Sequence, residues 1–323
     1  MVPGLILLLI LFSFILVKSA DLSIIALRRI AKQTKTGLFA LSAVVLAIGT
    51  SFPELFVSIT SAVEKTPSIT LGVIVGSNIA NISLVAGLTA FIVGKVNVHG
   101  DFLKRDVLMA LIAGVLPLLL VFDGELSRVD GFILLAIYGA YATGFFKGRF
   151  LEIAEEQKKE GFYYRFLRKI NHINGTKTKE FAKLFVGIAL LLFSADVIVK
   201  LSTELAMAAG VEVFLIGLVL VAAGTSLPEL AFSLRSLEDH QPSMFFGNLL
   251  GSIIANSTLV VGTAAVIYPI KMVVSNEYIL AVGAFLLIFL SFWYFIRSKH
   301  RLDRWEAGVL LLLYLLFLLL AFL

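Results

Sequence analysis

The stretch Ala47-Ile-Gly-Thr-Ser-Phe-Pro-Glu-Leu55 recurs as Ala222-Ala-Gly-Thr-Ser-Leu-Pro-Glu-Leu230, identical at seven of nine positions and displaced by 175 residues (47 to 222). The same displacement maps Ser19-Ala20-Asp21 onto Ser194-Ala195-Asp196, Pro67-Ser68 onto Pro242-Ser243 and Gly72 onto Gly247. It also maps Gly76-Ser77 onto Gly251-Ser252 and Ala80-Asn81 onto Ala255-Asn256. One inserted residue later, Arg128 and Tyr138 answer to Arg304 and Tyr314. Apolar segments resemble one another by chance, but one offset that holds Pro, Glu, Asn and Asp together marks a duplication of essentially the whole chain.

Composition says what kind of chain was duplicated. Of 323 residues, 59% are hydrophobic and 15% charged, and the mean hydropathy is +0.99; soluble domains carry about 25% charged residues. A soluble enzyme, a disordered tail and a nucleic-acid module are excluded, and the net charge of +5 needs another explanation. A helix that crosses a bilayer needs roughly 20 mostly apolar residues. Ten such stretches are predicted, at about 3–27, 38–63, 69–94, 106–122, 130–147, 183–206, 213–237, 243–268, 276–296 and 305–322. They are continuous runs rich in Leu, Ala, Ile and Gly rather than the alternating ten-residue segments of a barrel, so the fold class is all-α integral membrane. The first stretch lacks a basic leader and runs on past Lys18 and Asp21, which reads as a span rather than a signal peptide.

Cytoplasmic joints collect Lys and Arg. Of the 27 basic residues, 22 fall on one side of the predicted spans, ten of them between Lys147 and Lys183. Only Lys65, Arg128, Lys200 and Lys271 fall on the other, and Lys18 lies within the first span. This orients both termini outside a plasma membrane and places the 148–182 loop in the cytoplasm, where a basic loop suits an anionic leaflet. The expected organisation is a five-span unit at 1–147, the loop at 148–182 and a second five-span unit at 183–323. Five is odd, so the second copy inserts upside down, an inverted repeat of the kind that places substrate sites at the repeat interface in secondary transporters.

With zero Cys, thiol chemistry and thiolate metal sites are excluded, and His99, His172, His240 and His300 all fall in polar connectors. Glu54 and Glu229 lie inside predicted spans, where an ionised side chain is costly unless it faces a cavity or a cation. No Lys or Arg lies at matching depth to neutralise them. Pro53 and Pro228 lack an N–H for the carbonyls of Gly49 and Gly224, and a freed carbonyl in lipid must line a cavity or hold an ion. Thr50-Ser51 and Thr225-Ser226 add hydroxyls, and Ser-x-Pro-Glu is also a helix-start signature in which the serine is expected to cap. Ser77 and Asn81, like Ser252 and Asn256, share one helical face at i, i+4, while the flanking glycines suit close helix packing. The set offers oxygen alone, with no nitrogen or sulfur donor, which suits hard cations such as Ca2+ and Na+. Asp21 and Asp196 either line an ion path or pair with Lys18 and Lys200, the second being favoured.

Two copies of Gly-Thr-Ser-x-Pro-Glu, each followed by Gly-Ser-x-x-Ala-Asn, resemble the alpha repeats of the calcium/cation antiporter superfamily, and most closely its prokaryotic sodium/calcium exchangers. The resemblance implies an antiporter that works by alternating access, with its first and sixth spans sliding as a gating pair. Carried over residue by residue, the ligands for the transported Ca2+ and Na+ are Thr50, Ser51, Glu54, Ser77, Asn81, Thr225, Ser226, Glu229, Ser252 and Asn256, with the carbonyls of Ala47 and Ala222. No cofactor is implied. Several relatives, including potassium-dependent ones, carry Asp where this chain has Asn256, which argues against a K+ requirement and leaves the stoichiometry open. Proton-coupled members usually show Gly-Asn-x-x-Glu, so sodium is the expected counter-ion, with H+ expected to compete at the buried carboxyls.

A Ca2+/H+ exchanger is the alternative within transport. A cation channel would use the same oxygens but needs no pair of alternately gated half-sites. An intramembrane hydrolase would need a Ser-Lys or paired-Asp arrangement that is not visible, so the chain is not expected to be an enzyme. The partners expected are the bilayer and the ions; a monomer is compatible with the reading, and the sequence does not set the oligomeric state.

Overall fold

A computed structural model describes residues 2–34, 51–97, 102–159, 177–238 and 242–322. The chain is mainly helical, and eight of its described helical segments are long and apolar enough to cross a membrane: Val2–Ser23, Ser68–Val93, Asp106–Asp123, Lys179–Ala209, Val213–Glu238, Phe245–Ile267, Asn276–Lys299 and Arg304–Ala321. Each coincides with a predicted span. The span predicted at 38–63 enters the described residues only at Ser51, continuing as the shorter apolar helix Phe52–Val63, and the span predicted at 130–147 lies within the helix Arg128–Lys159.

In chain order the long or site-bearing helices are α1 (Val2–Thr34), α2 (Phe52–Val63), α3 (Ser68–Ala80), α4 (Ala86–Val93), α5 (Phe102–Leu120), α6 (Arg128–Lys159) and α7 (Lys177–Ala209). They continue as α8 (Val213–Ile216), α9 (Ala222–Thr225), α10 (Leu227–Glu238), α11 (Pro242–Ile254), α12 (Val261–Ile267), α13 (Asn276–Lys299) and α14 (Arg304–Ala321). The 175-residue offset carries α1 onto α7 and α2 onto α10 end to end. The loop read at 148–182 is helical at both ends, because α6 runs on to Lys159 and α7 begins at Lys177; its Glu and Lys residues are good helix formers.

Three predicted spans are not uniform helices. π-helical segments Asn81–Val85, Gly217–Val221 and Ala255–Val260 interrupt them, and such wide turns concentrate at functional sites. In two of these segments a hydroxyl back-bonds four residues up the helix, from Ser83 Oγ to the Ile79 carbonyl and from Thr258 Oγ1 to the Ile254 carbonyl, both at 2.5 Å. That competition with the backbone ladder favours a locally opened turn.

The polar joints contain short strands that the hydropathy pattern does not signal. β1 (Lys95–Asn97) pairs antiparallel with β4 (Arg301–Asp303), with Val96 opposite Leu302, and β2 (Glu125–Leu126) pairs antiparallel with β3 (Ile270–Lys271), with Leu126 opposite Ile270. The repeat offset carries β1 onto β3 and, with its inserted residue, β2 onto β4, so exchanging the two halves turns one ribbon into the other. Close crossings repeat in the same way. Gly131 of α6 meets the Gly262 carbonyl of α12, and Gly87 of α4 meets the Ala307 carbonyl of α14.

Enclosure decides which helices form the centre. Ser68–Val93 has 94% of its most apolar stretch buried, against 33% for Val2–Ser23 and for Lys179–Ala209. α1 and α7 pack along each other at the periphery with their own apolar seam, including Leu9, Leu16, Leu191 and Ile198. Large apolar side chains such as Leu7, Phe185 and Leu312 remain outside the protein core, as a lipid-facing surface requires.

Candidate functional site

Helix α2 begins just before Glu54. Ser51 occupies its N-cap position with Pro53 in the first turn, and the second copy ends α9 at Thr225 and restarts α10 at Leu227. The turn is closed alike in both: Leu55 N–H donates to the Ser51 carbonyl at 3.0 Å, and Leu230 N–H to the Ser226 carbonyl at 3.1 Å. The expected serine cap is not made. Ser51 has φ −86°, ψ 7° and no side-chain capping bond, and Ser226 has φ −82°, ψ 0°, whereas a capping side chain needs an extended backbone at this position. Each hydroxyl is therefore left available for another role.

The central span meets this break because it carries glycine where the helices touch. A Cβ on Gly72 would run into the Phe214 carbonyl, and one on Gly76 into the Leu218 carbonyl. The approach sets Ser77, the next residue, between the halves: its hydroxyl donates to Glu54 Oε1 at 3.3 Å and lies 3.2 Å from Thr225 Oγ1. Thr225 Oγ1 also reaches the Ala222 carbonyl at 3.3 Å. The packing is crosswise. α2, with Glu54, lies against the π-helical segment that holds Asn256, and α10, with Glu229, lies against the one that holds Asn81.

Glu54, Ser77, Asn81, Thr225, Glu229 and Asn256 are buried, as are Ser51, Ala222, Ser226 and Ser252. Ala47 and Thr50 lie outside the described residues, as do the backbone positions that the offset would place against Gly247 and Gly251. Among the described residues, Ser51 Oγ, Glu54 Oε2, Asn81 Oδ1, Ser226 Oγ and Asn256 Oδ1 have no hydrogen-bond partner. Buried polar atoms are nearly always paired, so these five solitary oxygens, one of them on the Glu54 carboxylate, stand out as candidates for a bound ion. Asp21 and Asp196 stand apart from it, half-exposed and partly exposed, paired with Lys18 at 3.8 Å and Lys200 at 2.8 Å. This is the pairing favoured from the sequence.

Two polar residues escaped the comparison of halves. Asn78 Nδ2 donates to Ser257 Oγ at 2.8 Å, and Asn256 Nδ2 donates to Asn78 Oδ1 at 3.4 Å. The offset pairs Asn78 with Ile253 and Ser257 with Ile82, so neither shows up as repeated. The one signal was an amide beside Ser77 in a strongly apolar span.

The family described as sodium/calcium exchanger protein matches residues 4–147 and 179–323. The sodium/calcium exchanger MaX1 of Methanosarcina acetivorans is 29% identical over 95% of each chain. The inner membrane protein YrbG of Escherichia coli is 33% identical over 70% of this chain and 68% of its own. Among solved structures, the sodium-calcium exchanger NCX_Mj soaked with 10 mM Na+ and 10 mM Sr2+ aligns with a TM-score of 0.60 at 26% identity, covering 98% of this chain and 97% of that one.

Proposed function

The chain belongs to the sodium/calcium exchanger protein family, and from that premise we propose that it is a secondary antiporter exchanging Ca2+ for Na+ across the plasma membrane by alternating access. The observation that carries this reading is the buried group of solitary oxygens around Glu54, Ser77 and Thr225, drawn from both halves. Glu54 and Glu229 supply the two negative charges that neutralise one Ca2+. Ser51, Ser77, Thr225, Ser226 and Ser252 supply hydroxyl oxygens, Asn81 and Asn256 amide oxygens, and Thr50 with the carbonyls of Ala47 and Ala222 completes the set. Oxygen donors of this kind hold Ca2+ in six- to eightfold coordination and also suit Na+. Because Ca2+ and Na+ draw on the same carboxylates, each excludes the other, and transport becomes exchange.

The architecture we assign is ten spans in two inverted five-span units, joined by the cytoplasmic 148–182 loop, with both termini outside. Its support is the end-to-end correspondence of α1 with α7 and of α2 with α10, the exchange of the two ribbons under the repeat, and the charge asymmetry of the joints. The paired, peripheral α1 and α7 are the elements best placed to slide over the enclosed centre and open the site to one side at a time. In this orientation the exchanger uses inward Na+ movement to extrude Ca2+ from the cytoplasm.

Purified protein in proteoliposomes, with voltage clamped by ionophores, tests the proposal. An outward Na+ gradient is expected to drive Ca2+ uptake, and Glu54→Gln or Glu229→Gln to abolish it in folded protein. Uptake driven by an H+ gradient alone would replace Na+ with H+ as counter-ion. Full activity in either glutamine variant would remove that residue from the site.

A further inference from the structure

The offset makes Asn81 and Asn256 equivalent, and both are fully buried, yet their amides are treated differently. Among the described residues, neither Oδ1 nor Nδ2 of Asn81 has a hydrogen-bond partner. Asn256 has its Nδ2 engaged by Asn78 Oδ1 at 3.4 Å, which leaves only its Oδ1 solitary. Asn78 is itself held from the other side, where its Nδ2 donates to Ser257 Oγ at 2.8 Å. The three form a directed chain across the two halves: the Asn78 amide donates through Nδ2 to Ser257 Oγ and accepts at Oδ1 from Asn256 Nδ2.

A carboxamide is a two-ended ligand. Its oxygen attracts a cation and its NH2 group, with two donor hydrogens, repels one, while a half-turn about the last side-chain bond exchanges the two ends in almost the same volume. A site that relies on an amide oxygen therefore gains when something else occupies the NH2 end. Position 253, where the second half would hold the equivalent of Asn78, is Ile, so the symmetric service to Asn81 is missing.

We infer that Asn78 is a positioning residue that holds the Asn256 carboxamide oxygen-first toward the transported cation, so that the two halves contribute unequal amide ligands, one oriented in advance and one oriented by the ion itself. The inference rests on the cation-site reading above. It makes the second-half amide a specificity element: a fixed oxygen favours a small hard cation that pulls on it, and the cost of turning the amide is met before the ion arrives.

The test is a double-mutant cycle on Ca2+ uptake in proteoliposomes of the full chain. Asn78→Leu keeps the branched outline of the side chain and removes both hydrogen bonds. The aliphatic Ile253 at the equivalent position and the neighbours Leu71, Ile74, Val75 and Phe285 suit it to the fold. The expected result is a KM for Ca2+ raised about five- to tenfold, the value of one orienting hydrogen bond, with the maximal rate changed less than KM. In the Asn256→Asp background, where either end of the side chain presents oxygen, Asn78→Leu is expected to raise KM by less than about twofold, since no orientation remains to be lost. An equal rise in both backgrounds would show that Asn78 acts through packing, and no rise in the native background would show that it does not act on Asn256; either overturns the inference while leaving the exchanger reading intact. Absence of Ca2+ transport in the unsubstituted protein would instead overturn both. If Asn78→Leu does not reach the membrane, Asn78→Ser, too short to reach Asn256, carries the same expectations. If turnover in the Asn256→Asp background is too slow to follow, the Ca2+ concentration that half-saturates thermal stabilisation in detergent replaces KM.

Discussion

Replacing Gly76 with alanine adds one methyl group at a crossing that has no room for it. The new Cβ would overlap the Leu218 carbonyl oxygen and lie 2.6 Å from Ala222 Cβ and 2.7 Å from the Leu218 carbonyl carbon. Carbon atoms rest at about 3.5–4.0 Å, so α3 and the 217–225 segment must part by roughly 1 Å. Overpacking of this kind costs about 1–3 kcal/mol. The upper end applies, because the obstacles are backbone and a Cβ that cannot rotate away. The functional loss should exceed the stability loss. Ser77 is the next residue, and an added 1 Å would carry it from 3.2 Å beyond hydrogen-bonding range of Thr225, which lies in the parted segment. Displacements of about 1 Å at a preorganised site cost on the order of a hundredfold in rate. We therefore expect Gly76→Ala to lower the melting temperature in detergent and to reduce Ca2+ uptake about a hundredfold. Gly139→Ala is the control: nothing lies within 4 Å of where its Cβ would sit, so the melting temperature should hold or rise, since alanine is favoured in helix interiors by roughly 0.5–1 kcal/mol. A Gly76→Ala protein with native melting and native uptake would refute the close crossing, and with it the account of how Ser77 bridges the halves.

In the proposed site Asn256→Asp adds a third carboxylate to those of Glu54 and Glu229, and should retain Ca2+ transport while changing its dependence on Na+ or K+; identical kinetics with every ion would take residue 256 out of the site. The buried Tyr278 hydroxyl donates to the Leu118 carbonyl at 2.6 Å, so Tyr278→Phe should cost about 1–3 kcal/mol by stranding that carbonyl, and an unchanged melting temperature would show that another donor takes its place. At the start of α14, Asp303 forms a capping box with Glu306. Burial pushes its carboxyl up, but a hydrogen bond from Lys299 and the ion pair with Arg301 outweigh burial and hold it below the usual carboxylate range. The stability this contributes is complete above the unfolded value of about 3.9 and is lost as pH falls through the lower folded value. Asp303→Asn should therefore melt earlier at pH 7 and show a shallower decline in acid, whereas coincident melting curves would show that the cap contributes nothing.

How much of this was legible beforehand follows from which signals are local. In lipid a chain must satisfy its own backbone, so runs such as 276–296 and 305–322 could only be helices, and they are. The repeated Glu54 and Glu229 stood out because a buried acid is costly and the offset showed it twice. Ser51 suits a cap by residue type, but its backbone, with ψ near zero, does not, and that angle is not written in the local sequence. The ribbons between 95–97 and 301–303 and between 125–126 and 270–271 were invisible, because two or three residues carry no readable periodicity and their partners lie some 150 to 200 positions away.

By itself, then, the sequence determined the helical membrane class, the two equivalent halves and the oxygen-only chemistry of the buried polar residues, since all three depend on composition, period and internal likeness. Only the tertiary structure decided that Ser77 spans Glu54 of its own half and Thr225 of the other, and that Asn78 takes hold of Asn256 while Asn81 has no such neighbour. Those contacts depend on where Gly72 and Gly76 let one helix settle against the Phe214 and Leu218 backbone. Such a crossing is a property of two surfaces meeting, and it is written in neither segment alone.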